Sequence, residues 1–347
     1  MNDSTGKLFF DLPKEMQWAA YVLAGFGVYI IWDQSYWWMR RDDYSFGFLV
    51  PLFAGYVLHE RWPEIRNLLF KGESKADEDP GNQKHFPGLR GVPIFCAGVV
   101  FLLSLLSLAF GSLLRATQGP QIPASLAAAW GYCWLVLSMV FLFGGKGVEG
   151  NSPALRMRLR LTGLFLFPAM IWLISAPLLS FLEGNLSLFL LNKVIVVVFF
   201  LFDLLGTPIA RAENVLILGV LENGRPNQVM VEDACSGIRS LMACLFAGSF
   251  LAAVTLKQLW KKILMVALAM LFAFLMNILR SLFLTYWAYR YGSDSIMGPV
   301  HDITGYGVLA LTCVGLIALL PLINYKHRFS GEPGLEEFAG RERISSD

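Results

Sequence analysis

Nine stretches of the chain are apolar over roughly the length of a membrane-spanning helix, and nothing else restricts its fold as strongly. A helix needs about 20 mostly apolar residues to cross ~30 Å of hydrocarbon, and within that layer every backbone polar group must be satisfied inside the segment. The runs fall at 16–33, 46–59, 91–113, 123–143, 161–182, 186–205, 237–256, 263–288 and 303–324. Charged residues make up only 16% of the chain and mean hydropathy is +0.55, whereas about a quarter of a soluble domain is charged. The expected class is all-α: a polytopic helical membrane protein, one membrane domain over 1–325 with its core at 44–324, followed by a cytoplasmic tail at 326–347.

The net charge of +2 gives no reason to expect a nucleic-acid partner; the lipid bilayer is the partner that composition demands. The first residues, MNDSTGKLFFDLPKEM, lack an apolar core followed by a small-residue cleavage site, so no removable signal peptide is expected. Orientation follows from lysine and arginine, which concentrate in short cytoplasmic loops. Arg61, Arg66, Lys71, Lys75, Lys84 and Arg90 mark the 60–90 loop, Lys146, Arg156, Arg158 and Arg160 the 144–160 loop, and Lys257, Lys261 and Lys262 the 257–262 linker. If the last two loops are both cytoplasmic, an even number of crossings separates them, yet three runs lie between. The run at 186–205 is the one expected not to cross, because Asn192 and Asp203 are eleven residues apart and share a helix face. That leaves about eight spans, one interfacial helix, both termini inside, and a loop at 206–235 outside. The Asn223-Gly224 step in that loop predicts a small hairpin.

The same orientation brings three distant polar residues to the outer side. Cys235 precedes the 237–256 helix, where unpaired N–H groups and the macrodipole favour a thiolate; Gly237 permits close approach, and N–H groups around Ser236 suit an oxyanion. Glu232 and Asp233 oppose the thiolate, so a cationic partner is required. Arg280 lies eight residues before the end of its run, about 12 Å inside, and an intramembrane arginine normally faces a cavity or a counter-charge. It cannot act as a base, because guanidinium stays protonated. His301 opens the final span and can move protons, with Asp302 beside it to orient the ring. Arg239, four residues after Cys235, suits a carboxylate or phosphate or simply snorkels. Cys96, Cys133, Cys244 and Cys313 sit singly in apolar runs and read as small buried hydrophobes; no C-x-x-C spacing suggests a metal.

ACSGIRS at 234–240, NILRS at 277–281 and HDITG at 301–305, together with YSFGFLVPL at 44–52, resemble the motifs of the exosortase/archaeosortase family of polytopic membrane cysteine transpeptidases. The resemblance implies Cys235 as nucleophile, Arg280 as the essential arginine and His301 as the third catalytic residue, with Ser236, Gly237, Arg239, Asn277 and Asp302 as supports for substrate or oxyanion. It implies no cofactor or metal. Its substrates would be membrane-anchored proteins whose C-terminal sorting tail places a Pro-Glu-Pro-like motif before a transmembrane helix and a basic cluster. These are cut at the outer face of a bacterial inner membrane and passed to an unidentified acceptor nucleophile. His301, where archaeal relatives tend to carry arginine, fits a bacterial member; Phe46 stands where the family's first block commonly has histidine. Hydrolysis by water in place of transfer, and a non-catalytic role in exopolysaccharide assembly or export, remain the competing expectations. A transporter is disfavoured because the special residues lie toward one face and no internal repeat is evident.

Overall fold

A computed structural model describes residues 14–71, 91–144, 155–220, 224–230, 238–296 and 298–324. Helices α1 (Lys14–Arg40), α2 (Val50–Lys71), α3 (Gly91–Gln118), α4 (Ile122–Phe143), α5 (Leu155–Ser175), α6 (Ser180–Leu204), α7 (Ile238–Thr255), α8 (Leu259–Tyr291) and α9 (Pro299–Asn324) account for all nine apolar runs. Among the described residues, α3 to α9 are long and apolar enough to cross a membrane. The protein is an all-α polytopic membrane protein. α2 falls outside that group because its second half carries Glu60, Arg61, Glu64 and Arg66.

Two boundaries differ from the sequence expectation. The run beginning at residue 46 opens as a 3-10 helix, Asp42–Leu49, before α2 starts. The break between the fifth and sixth runs lies at 176–179, not beyond 182. Pro177 lacks an N–H and disfavours helical geometry at Ala176, and the Leu178 N–H that follows donates to the Tyr44 hydroxyl (2.9 Å). This bond fixes the 3-10 helix against the α5–α6 turn. Trp38 lies flat on Gly47, where a Cβ would fall 2.1 Å from its Nε1, and that nitrogen donates to Ser175 O.

Lipid tails are as apolar as leucine, so membrane helices adhere through close packing and polar links. α3 and α4 show the first: a Cβ on Gly131 would lie 2.7 Å from Leu108 N and Ser104 O, and one on Gly111 2.7 Å from Ala124 O. The second joins α1 to its neighbours. Gln34 Nε2 donates to Trp172 O (3.0 Å), Ser175 Oγ donates to Gln34 Oε1 (2.7 Å), and Arg115 pairs with buried Asp33 at 3.0 Å. At the other end of the bundle Arg61 donates to Ala253 O (3.2 Å) and Arg160 pairs with Glu64 at 3.0 Å. Arg61 and Arg160, two of the basic residues used for orientation, thus lie at one end.

α6 is a continuous helix of 25 residues, long and apolar enough to cross a membrane, that runs beside α8, with Leu186 and Leu190 packed near Met270 and Ala273. Glu183 pairs with Arg41, just past α1, while Phe202 shares a core with Ala288 and Ile296 near the end of α8. Asn192 and Asp203 are both exposed, as their common face requires. The expected hairpin is a three-stranded antiparallel sheet, β1 (Ala210–Ala212), β2 (Val215–Val220) and β3 (Pro226–Met230). The β2–β3 pair was legible from the Asn-Gly step; β1, three exposed residues, was not. Leu216, Leu218 and Val229 pack on α6 and α8, and Asn227 secures the sheet by donating to Ala288 O and accepting from Ser293 N–H, each at 3.0 Å.

Candidate active site

α8 extends over 33 residues, ~50 Å of helix, which exceeds the bilayer's need and carries the sheet on its last turns. Arg280 sits where the starts of α7 and α9 come alongside. Its Nη2 lies 2.9 Å from His301 Nε2. Guanidinium only donates, so in this contact Nε2 is the acceptor and Nδ1 is left to donate. That nitrogen is 3.5 Å from Asp302 Oδ1, at the limit of a hydrogen bond. Gly305, one turn along α9, makes room for the pair, since a Cβ there would stand 3.4 Å from Arg280 Nη2.

The pair opens on a cavity of about 440 Å³ between the 3-10 helix, α7, α8 and α9. Asp42, Asp43, Arg239 and Asp302 give it a polar rim; Phe48, Leu49, Ala243 and Leu309 line its apolar part. Three of the four rim charges are mutually satisfied. Arg239 meets Asp42 at 2.9 Å and Asp43 at 3.6 Å, and Asp43 lies 3.7 Å from Arg41. Arg280 differs: among the described residues no carboxylate lies within ion-pair distance of it, and its hydrogen-bond partner is the imidazole. A half-buried cation without a counter-charge is costly in a membrane and is suited to receive an anion.

Arg239, Arg280, His301 and Asp302 therefore line one cavity. Asn277 does not; it is buried (3% exposed) on a neighbouring face of α8. Cys235, Ser236 and Gly237 lie outside the described residues, and α7 is described from Ile238 onward. Asp42, Asp43 and Gly305 were missed as site residues, although Asp42 and Asp43 directly precede the 44–52 block. Phe46, from that block, also lines the cavity. Of the other cysteines, Cys133 and Cys244 are buried as expected, Cys133 Sγ lying 2.7 Å from Ala169 O. Cys96 and Cys313 are exposed, which corrects the expectation for those two: they occupy outward faces of α3 and α9. No cluster of three or more His, Cys, Asp or Glu fit to hold a metal occurs among the described residues.

A family model described as transmembrane exosortase (Exosortase_EpsH) matches residues 37–318. No curated protein and no solved structure matches the chain. The matched span begins just before the 3-10 helix and ends within α9, so it holds every element that lines the cavity.

Proposed function

Because the chain belongs to the transmembrane exosortase family, we propose that it is a cysteine-type endopeptidase and transpeptidase acting on C-terminal sorting signals of exported, membrane-anchored proteins. Cys235 is the nucleophile, Arg280 the electrophilic group and His301 the proton carrier. The observation that carries this reading is the 2.9 Å contact of Arg280 with His301 in a cavity whose only uncompensated cation, among the described residues, is Arg280. Chain continuity keeps the Cys235 Cα within about 11 Å of that of Ile238, at the head of the helix that supplies Arg239 to the same cavity.

In the reaction the Cys235 thiol passes its proton to His301 Nε2 and the sulfur attacks the scissile carbonyl carbon. Arg280 N–H groups stabilise the oxyanion, a contribution typically worth 10²–10³ in rate for one such donor. Collapse breaks the C–N bond, His301 returns the proton to the leaving amine, and a thioester remains on Cys235. An acceptor amine, hydroxyl or water then attacks the thioester, gives its proton to His301 and releases the thiol. Arg239, held by Asp42 and Asp43 at the rim, orients the entering peptide, and Ser236 and Gly237 supply backbone N–H groups. The distribution of lysine and arginine supports an extracytoplasmic site in a bacterial inner membrane. The parity of the basic loops on either side supports reading α6 as an outer-leaflet helix and not a crossing.

Co-expression with a reporter carrying a Pro-Glu-Pro-type tail, followed by mass spectrometry of its C-terminus, tests the proposal. Wild type is expected to remove the tail and add the mass of an acceptor; Cys235→Ala is expected to leave the reporter whole. Equal processing by both removes Cys235 as nucleophile. A trimmed end without added mass reduces the activity to hydrolysis, and an intact reporter in both favours the non-catalytic role in polysaccharide export.

A further inference from the structure

One turn of α8 holds three enclosed polar atoms that have no hydrogen-bond partner among the described residues: Asn277 Oδ1, Arg280 Nε and Ser281 Oγ. Asn277 and Ser281 are 3% and 2% exposed. Hydrocarbon offers no water to satisfy such groups, and the usual remedy for a helical hydroxyl is the carbonyl three or four residues back. Ser104, Ser138, Thr162, Thr255, Thr304 and Thr312 all use it here. Ser281 does not.

The three orphans complement one another: one pure acceptor, one pure donor and one hydroxyl able to be either. Residues three and four apart are neighbours on a helix surface, and side chains lean toward the helix N-terminus, so Arg280 lies over the turn that presents Asn277. In the observed arrangement Arg280 reaches outward to His301 and leaves Nε and Oδ1 both unpaired.

We propose that Asn277 and Ser281 are positioning residues that form a second berth for Arg280: Nε–H donates to Asn277 Oδ1, the amide being held by Ser281 one turn on along the same helix face, which releases His301 Nε2. The value of the second berth rests on the reading of His301 as proton carrier, because a nitrogen that accepts from Arg280 cannot accept from a thiol. Arg280 thus caps His301 in one position and frees it in the other. Neither Asn277 nor Ser281 needs to touch substrate for this.

The test uses the full-length protein in lipid nanodiscs in a Cys235→Ala background, so that it does not depend on Cys235 being the nucleophile. Diethyl pyrocarbonate, which acylates a neutral imidazole nitrogen, is applied at fixed pH, and modification of His301 is measured by peptide mass spectrometry against His59 as internal standard. Asn277→Asp adds a carboxylate to the inner berth, draws Arg280 inward and is expected to raise the His301 rate at least threefold. Asn277→Leu abolishes that berth and is expected to lower it at least threefold. A packing defect would move both variants in the same direction; that result, or no change in either, overturns the proposal. If neither Asn277 variant accumulates, Ser281→Ala decides: a slower His301 rate supports the berth and an unchanged rate refutes it. Failure here leaves Cys235 chemistry to its own reporter experiment.

Discussion

The α3–α4 hairpin and the α7–α9 side of the molecule solve the membrane's packing problem in opposite ways. In the hairpin, glycines bring the two backbones together so closely that a Cβ has nowhere to go at Gly111 or Gly131. Around α7, α8 and α9 the helices stand apart, with charged groups between them and about 440 Å³ of open space. In the first half Gln34 and Ser175 pair with each other and with Trp172 O, while Tyr29 Oη and Trp134 Nε1 are enclosed without a hydrogen bond among the described residues. In the second half Asn277 Oδ1, Ser281 Oγ and Arg280 Nε are enclosed without one as well. The contrast separates two kinds of packing: one side is closed by backbone-to-backbone contact, the other holds a charged cavity.

That separation can be broken by substitution, and the largest effect belongs to the closed side. Gly131→Leu places side-chain atoms against the backbone of Leu108 and Ser104, which cannot yield. Overpacking of this kind costs about 3 kcal/mol or more, so little monodisperse protein is expected on size exclusion in detergent. On the open side, Arg280→Lys keeps a positive charge but loses the planar fork of donors. Processing of the reporter should fall at least about 100-fold while the thermal midpoint stays where it was. A parallel loss of folded protein would mean that Arg280 is structural and would erase the distinction between the two regions.

Smaller changes sharpen the same comparison. Gly305→Ala sets a methyl 3.4 Å from Arg280 Nη2, so the guanidinium must shift by a few tenths of an ångström. The expected loss is roughly tenfold in kcat, against Gly163→Ala, where a Cβ meets nothing, as the neutral control. Least is expected from Asp42→Asn. Its ion pair with Arg239 joins side chains that are 79% and 62% exposed, and surface pairs contribute little to stability. The thermal midpoint should be unchanged and processing should alter less than about threefold, with any effect fading at high salt.

Much of this architecture was legible because the bilayer is an unforgiving solvent. All nine apolar runs became helices, since a long apolar segment has no other means of satisfying its backbone there. The parity of basic loops singled out α6 as the run that does not cross, although the helix itself is long and apolar enough to do so. Arg280 and His301 could be found for the same reason: an ionisable group inside a span is expensive and stands out. What escaped notice was whatever costs little in sequence terms. Asp42 and Asp43 look like ordinary flanking charge, and Gly305 like any helical glycine. The 3-10 geometry of 42–49 depends on Trp38 lying on Gly47, a contact between residues on different elements. Pro177 was visible but was read as interior to a run, although it ends α5. Asn277 could be named from its motif, but not its lack of a partner, which only the packing of α8 reveals.

The most direct test of the central claim is to look for the covalent intermediate. Wild-type protein and Cys235→Ala are each incubated in nanodiscs with a tagged reporter, quenched in acid, and the adduct is digested and mapped. The account predicts a reporter fragment joined through its new C-terminal carbonyl to the Cys235 sulfur, released by neutral hydroxylamine and absent from Cys235→Ala. An adduct at any other residue, or a trimmed reporter in the Cys235→Ala sample, would contradict it.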